Sequence, residues 1–285
     1  MKTKNLITII FSLFITVCFT ACAESPVESQ NESKPVVAPE PTTPPAFLNA
    51  FSDTVLYPTE KTPLEIDDLS ALFTVLGKLQ STEFYTANSS GESVAKKGFI
   101  KYAQKTSGSY VKLKNKHYMR SVSSSAFVNV KNEALEYEGC VYFKRDGSKV
   151  EKTSKKEYAK TVGVTPSKLL SAHIYNENTV SSVTKTVNGD GTVTYQIKLK
   201  KDEAHEFLKY QMKNFGGLKD YPVFLEDTAV TLTINGDYLP IKFVYKSKYT
   251  VSVAVLGSLT CNETNTTVFG YQKSEIPNET DFIKE

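Results

Sequence analysis

The sequence predicts an α+β fold: a long antiparallel sheet of about ten strands, curved into a half-barrel, with helices covering its concave face. Three observations carry this expectation. Apolar and polar residues alternate over many short segments, turn residues stand between those segments, and three apolar stretches follow helical rather than strand spacing.

The strands are clearest after residue 190. Val193, Tyr195, Ile197 and Leu199 alternate with Thr194, Gln196, Lys198 and Lys200, the period of two of a strand with one buried and one wet face. Val230, Leu232 and Ile234 repeat the pattern, as do Ile241, Phe243 and Tyr245, then Val251, Val253 and Val255. The links Asn188-Gly189-Asp190-Gly191, Asn235-Gly236-Asp237 and Asp146-Gly147 have hairpin chemistry, because Asn, Asp and Gly tolerate the positive φ of tight turns. Further strands are expected over 97–104, 109–114, 117–121, 126–131 and 139–144, in meander order.

Three helical segments interrupt them. Thr62, Pro63 and Glu65 supply an N-cap, a proline at the first helical position and a capping-box acid, and Ile66, Leu69, Leu72, Phe73, Leu76 and Leu79 then share one face. Ser154 and Glu157 form a second capping box, and Thr165-Pro166 starts a short helix through Leu169 and Leu170. The third helix opens near Asp202, carries Phe207, Leu208, Met212 and Phe215, and stops at Gly216-Gly217. A long sheet needs cover on its inner face, and these helices are the available cover.

The first residues describe an address. Lys2 and Lys4 precede an apolar run over 6–19, and Thr20 and Ala21 lead into Cys22, the order of a bacterial lipoprotein signal. Cleavage before Cys22 would leave a thiol carrying diacylglycerol, with further acylation of the freed amine; cleavage after Ala23, allowed by the Ala21-Cys22-Ala23 pattern, would release the chain instead. The apolar run is shorter than the roughly 20 residues that cross a bilayer. The division that follows is a signal peptide over 1–21, the lipidated Cys22 and a proline-rich, glycine-free spacer over 22–61, and a single domain over 62–285.

Formal charge is +3, falling to +1 once Lys2 and Lys4 leave with the signal. The lysines look scattered along the chain, which argues against nucleic acid as a partner. Cys140 and Cys261 are the cysteines left beyond the signal and anchor; outside the cytoplasm they could form a disulfide or remain as two buried thiols. Catalytic patterns are absent. His205-Glu206 resembles the opening of a zinc-protease helix, but Lys209 stands where the second histidine is needed. Asp67-Asp68 fits the first turn of a helix, where acids complement the dipole. No enzyme activity, cofactor or metal is expected. The Asn-x-Ser/Thr triplets at Asn88, Asn262, Asn265 and Asn278 read as exposed polar loops behind such a signal.

Sixteen Tyr and sixteen Phe, with no Trp, are spread over the strands. They fill a core or line a cavity, and periodicity does not choose between the two. The candidate lining is Leu69, Leu72, Phe73, Leu76, Phe207, Leu208 and Met212 from the helices, with Val230, Leu232 and Phe243 from the strands.

Lipobox, polar spacer, a helix before a long meander, a mid-chain helix ending in glycine, and the final run from Val230 through Asn235-Gly236-Asp237 to Phe243 together resemble the LolA/LppX superfamily of bacterial lipoproteins. The resemblance covers roughly residues 62–272 and is one of pattern, with no diagnostic motif. It implies a half-barrel whose apolar concave face accommodates acyl chains, and a setting on the extracytoplasmic face of the cell membrane of a Gram-positive bacterium. Two functions stand: a membrane-anchored lipoprotein that binds or carries a lipid or other hydrophobic ligand, or an anchored cell-envelope interaction or sensor domain with a packed core and no ligand. The strands 126–130 and 139–143, apolar on both faces, favour the second; the cleanly alternating strands after 190 favour the first.

Overall fold

The structure is a computed structural model that describes residues 81–125, 129–162, 165–167, 179–202, 220–253 and 257–277, with Val75, Lys78, Leu79, His205, Lys209 and Phe282. Its first five strands are β1 (Phe84–Lys97), β2 (Ile100–Leu113), β3 (Lys116–Ser125), β4 (Asn129–Tyr137) and β5 (Cys140–Arg145). The short β6 (Glu151–Ser154) leads into helix α1 (Lys155–Val162). Then come β7 (Val180–Val187), β8 (Val193–Leu199), β9 (Val223–Phe224), β10 (Thr228–Ile234), β11 (Pro240–Val253) and β12 (Gly257–Gly270).

All twelve strands belong to one sheet, in the order β6-β5-β4-β3-β2-β1-β12-β11-β10-β8-β7, with β9 extending the β10 edge along β11. Pairing is antiparallel throughout, and the chain closes its sheet order by zipping β1 against β12, from Thr86 opposite Gly270 to Lys96 opposite Thr260. The turns β2–β3, β4–β5, β7–β8 and β10–β11 therefore leave one end of the sheet. The β1–β2 turn, the β5–β6 turn and β9 lie at the other. Turn chemistry follows the positive φ values: Glu138 (48°) with Gly139 (77°) joins β4 to β5, and Asp146 (50°) with Gly147 (74°) joins β5 to β6.

The half-barrel with helices across its concave face is not what forms. Among the described residues strand accounts for 67% and helix for 7%, with one short helical element, and the sheet they form is open rather than helix-covered. The reason is visible in the register, which sets large side chains beside small ones on the buried face. Tyr110 faces Ala87, Tyr102 faces Ala95, Met119 faces Ala134 and Tyr249 faces Cys261. Cross-strand aromatics thus cover much of the apolar surface that was assigned to helices. The Ser154 capping box does form, Glu157 N–H donating to Ser154 Oγ at 3.1 Å, but it starts only the eight residues of α1, which dock through Tyr158 on Phe143. Most of the other two expected helices lies outside the described residues. Val75 and Leu79 are buried in the main core cluster.

A second, smaller cluster lies on the opposite face. Leu135 and Tyr142 are buried there with Phe282, and Ile276 packs against them. The C-terminal residues thereby cover the outer surface of β4 and β5, so both faces of those strands are buried.

Candidate functional site

The interior face is not uniformly apolar. Gln104 on β2, Ser93 on β1, Glu263 on β12 and Ser247 on β11 stand directly opposite one another in register, forming one row of polar side chains across four strands. All four are buried, Gln104 to 1% exposure. The next row on the same face is Thr106, Gly91, Asn265 and Tyr245. Gly91 is required there: a Cβ would sit 2.8 Å from Thr106 Oγ1 and 2.9 Å from Asn265 Nδ2. A third row runs Ser89, Gly108, Ser121 and Asn132 into β4. Small residues and glycines keep this belt low while its polar atoms face the interior.

Glu263 is its electrostatic centre. Burial pushes its carboxyl up to about 7, and the hydroxyl of Tyr249, donating to Oε2 at 3.2 Å, works against that rise. Near neutral pH the group therefore exists in both forms, and the protonated form adds a donor to the row. Tyr249 is in turn held well above the usual phenol range by its own burial and by the Glu263 charge. Among the buried polar atoms without a hydrogen-bond partner in the described residues are four from these rows: both amide atoms of Gln104, Oδ1 of Asn132 and Oγ of Ser247. Each such group costs about 1–3 kcal/mol when left unsatisfied, which for four is comparable to a domain's whole stability. Among the described residues these atoms are therefore open to a hydrogen-bonding partner, water or the polar part of a ligand.

Aromatic groups flank the belt on both sides. Towards the polar turns, Tyr85 lies 5.4 Å from Tyr110 and 6.5 Å from Phe269, centroid to centroid. Towards the other end, Phe224 lies 5.4 Å from Tyr249 and is stacked at 3.8 Å by His205, which shares a 2.9 Å hydrogen bond with Thr228 Oγ1. His205 is a core side chain here, and the described residues hold no group of three metal-ligating side chains.

A second polar line leaves the interior through Tyr110, whose hydroxyl lies 2.6 Å from His117 Nδ1. His117 faces Glu136 across the β3–β4 pair, and burial holds its imidazole down at about 4, so the ring is neutral at pH 7. Glu136 pairs with Lys155 Nζ at 2.7 Å and accepts from Ser167 N–H at 2.8 Å. This line ties α1 and the segment after it to β4.

The residues expected from the sequence fall as follows. Cys22, Leu69, Leu72, Phe73, Leu76, Phe207, Leu208 and Met212 lie outside the described residues. Val230 and Leu232 are buried on β10 and belong to the core cluster, with the half-buried Phe243 packed against it. Cys140 and Cys261 are free thiols, half-buried on β5 and buried on β12, with β4, β3, β2 and β1 between their strands. Three of the Asn-x-Ser/Thr triplets are not loops: Asn88 and Asn262 are exposed strand residues and Asn265 is buried in the belt, while Asn278 lies outside the described residues. The row itself was missed. Its signal is parity: Glu263, Asn265 and Thr267 occupy the same alternation as Leu259, Cys261 and Phe269 on either side, so they point inwards although they are polar.

Fold and site thus define an open, twelve-stranded antiparallel sheet protein with a buried polar belt between aromatic zones. No family model matches the chain, and no curated protein does. Solved structures similar to it include the ywiB protein from Bacillus subtilis, at 13% identity and a TM-score of 0.23 over 66% of this chain and 94% of that one. A DUF1329 family protein from Desulfovibrio piger has 9% identity and a TM-score of 0.25 over 75% and 95%. A domain described as outer membrane lipoprotein-sorting, from Vibrio parahaemolyticus, has 9% identity and a TM-score of 0.24 over 70% and 89%. Scores this low carry no argument about the present chain, and the LolA/LppX resemblance rests on sequence pattern.

Proposed function

We propose that this chain is a membrane-anchored extracytoplasmic binding protein for an amphiphile. The polar group of the ligand lies on the row Gln104, Ser93, Glu263 and Ser247, and its apolar part lies against the flanking tyrosines and phenylalanines. The observation that supports this reading is the set of buried polar atoms on Gln104, Asn132 and Ser247 that have no hydrogen-bond partner among the described residues. Buried polar groups are otherwise almost always satisfied. An amide and hydroxyls that can each donate and accept suit a hydroxyl or amide head group better than a bare charge.

A second reading, an anchored interaction domain whose belt holds only water, is favoured by one observation: β4 and β5 are buried on both faces, Leu135 and Tyr142 lying under Phe282. Native mass spectrometry of the detergent-extracted full chain, together with titration of a fluorescent hydroxy-fatty-acid probe, separates the two. The expected result is a co-purifying amphiphile and a probe affinity that Gln104→Leu lowers about tenfold or more, as loss of one buried ligand hydrogen bond would. If no lipid co-purifies, the probe does not bind and Gln104→Leu raises the melting temperature, the water-filled interior takes over.

A further inference from the structure

Seven large apolar side chains stand exposed among the described residues, and five of them, Phe99, Ile100, Tyr221, Val223 and Leu225, lie at one end of the sheet. Phe99 is at the apex of the β1–β2 turn with 96% of its surface exposed, and Ile100 beside it keeps 43%. The opposite end, by contrast, is closed by Asn-, Asp- and Gly-containing turns.

Basic charge collects around the same tip. Between Glu92 and Glu133 the chain has nine basic residues and no acidic one; of these, Lys96, Lys97, Lys101 and Lys105 lie on the halves of β1 and β2 nearest this turn, whereas Lys112, Lys114 and Lys116 lie at the opposite end. Lys96, Lys97 and Lys101 flank Phe99 and Ile100 directly and are exposed. Register fixes the geometry of the surface. Val223 faces Thr250, Thr250 faces Thr260, Thr260 faces Lys96, and Lys96 faces Lys101. This single row crosses β9, β11, β12, β1 and β2, and at the usual strand spacing of about 4.8 Å it spans roughly 19 Å. Of the acids near β9, Glu226 lies 3.9 Å from Lys248, and Asp227 accepts from Ser181 Oγ and Lys201 N–H. These acids sit on the far side of the row from the lysines.

An apolar tip beside a cluster of lysines matches the layered chemistry of a bilayer surface, where aromatic and aliphatic groups enter the acyl boundary while lysines meet anionic head groups. The geometry points to this end as a docking surface for an anionic lipid bilayer, with Phe99 and Ile100 inserted, Lys96, Lys97 and Lys101 on the head groups, and Val223 and Leu225 at the second margin. The assignment does not rest on the ligand reading above. It concerns the outside of the sheet end, whereas the polar belt lies inside.

Because the chain has no Trp, Phe99→Trp creates a unique reporter at an exposed position where no packing is lost. Val187→Trp, 54% exposed at the opposite end, is the control. The full chain is mixed with vesicles of phosphatidylcholine alone or with phosphatidylglycerol, with brominated acyl chains as quencher. The expected result is a blue-shifted emission for Phe99→Trp, quenched by brominated lipid in phosphatidylglycerol vesicles and unaffected by phosphatidylcholine alone, with neither change for Val187→Trp. Each lysine near such a surface is worth about a fivefold factor, so Lys96→Gln, Lys97→Gln and Lys101→Gln together weaken docking on the order of a hundredfold and abolish the quenching. Equal quenching at both positions, or none at Phe99→Trp, overturns the proposal. Protection of the Phe99→Trp reporter from iodide without vesicles, accompanied by dimerisation, would assign the end to a second copy of the chain instead.

Discussion

Glu263 keeps a proton when folded that the unfolded chain releases. Its carboxyl is raised from 4.5 to about 7 by burial, so between those values the folded state binds more protons than the unfolded one, and stability falls as pH rises, levelling above about 7. The full loss is about 3 kcal/mol. His117 has the opposite sign. Its imidazole is lowered from 6.5 to about 4, again by burial first, so its contribution is present above 6.5 and is lost as pH falls towards 4. The two slopes oppose each other over most of the acid range, and only a difference measurement isolates one. Glu263→Gln keeps the shape and removes the titration, so the stability of the variant relative to wild type should improve by about 2 kcal/mol from pH 5.5 to pH 8. Urea unfolding midpoints at the two pH values measure this, and a pH-independent difference would sink the assignment of a raised carboxyl at Glu263.

At the scale of elements, β1 and β12 form the seam on which the sheet order depends, and Gly91 is its tightest point. A methyl group at this position meets Thr106 Oγ1 at 2.8 Å, Asn265 Nδ2 at 2.9 Å and the backbone carbonyl of Thr264 at 3.1 Å. The carbonyl cannot rotate away as a side chain could, so Gly91→Ala should cost about 1–3 kcal/mol by forcing the β1–β12 pair apart. Chemical denaturation would show this; Gly189→Ala, where a Cβ meets nothing within 4 Å, should be close to neutral. The same seam explains what was legible in the sequence. Strands β8, β10 and the first half of β11 announce themselves because Val193 to Leu199 and Val230 to Ile234 alternate cleanly. Strands β1 and β12 do not, because Ser89, Gly91, Ser93, Glu263, Asn265 and Thr267 occupy their buried face and erase the contrast on which periodicity depends. Val251 and Val253, read as a separate strand, are the end of the fourteen-residue β11. The helical cover failed for a related reason: register puts tyrosines over alanines, a relation between strands distant in sequence that no local pattern encodes. The candidate site was hidden by the same substitution of polar for apolar side chains that creates it, which is where departures from consistent patterning are expected.

For the whole molecule, the anchor expected at Cys22 would supply one membrane contact and the docking tip proposed at Phe99 a second. The two should differ in kind. A thioether-linked diacylglycerol holds through buried methylenes and is indifferent to salt, whereas the lysine-flanked tip depends on charge and weakens as the Debye length falls to about 3 Å at 1 M salt. Joined in one chain they reinforce each other, since the anchor raises the effective concentration of the tip at the surface. Cys22→Ser should therefore abolish radiolabelled palmitate incorporation and convert membrane retention from salt-resistant to salt-sensitive. Adding Lys96→Gln, Lys97→Gln and Lys101→Gln should move the chain to the soluble fraction at physiological ionic strength. Fractionation of the wild type and both variants at low and high salt reads this directly. Equal palmitate labelling of wild type and Cys22→Ser would refute the anchor, and release of the wild type into the medium would mean that cleavage falls after Ala23, leaving the tip as the remaining hold on the membrane.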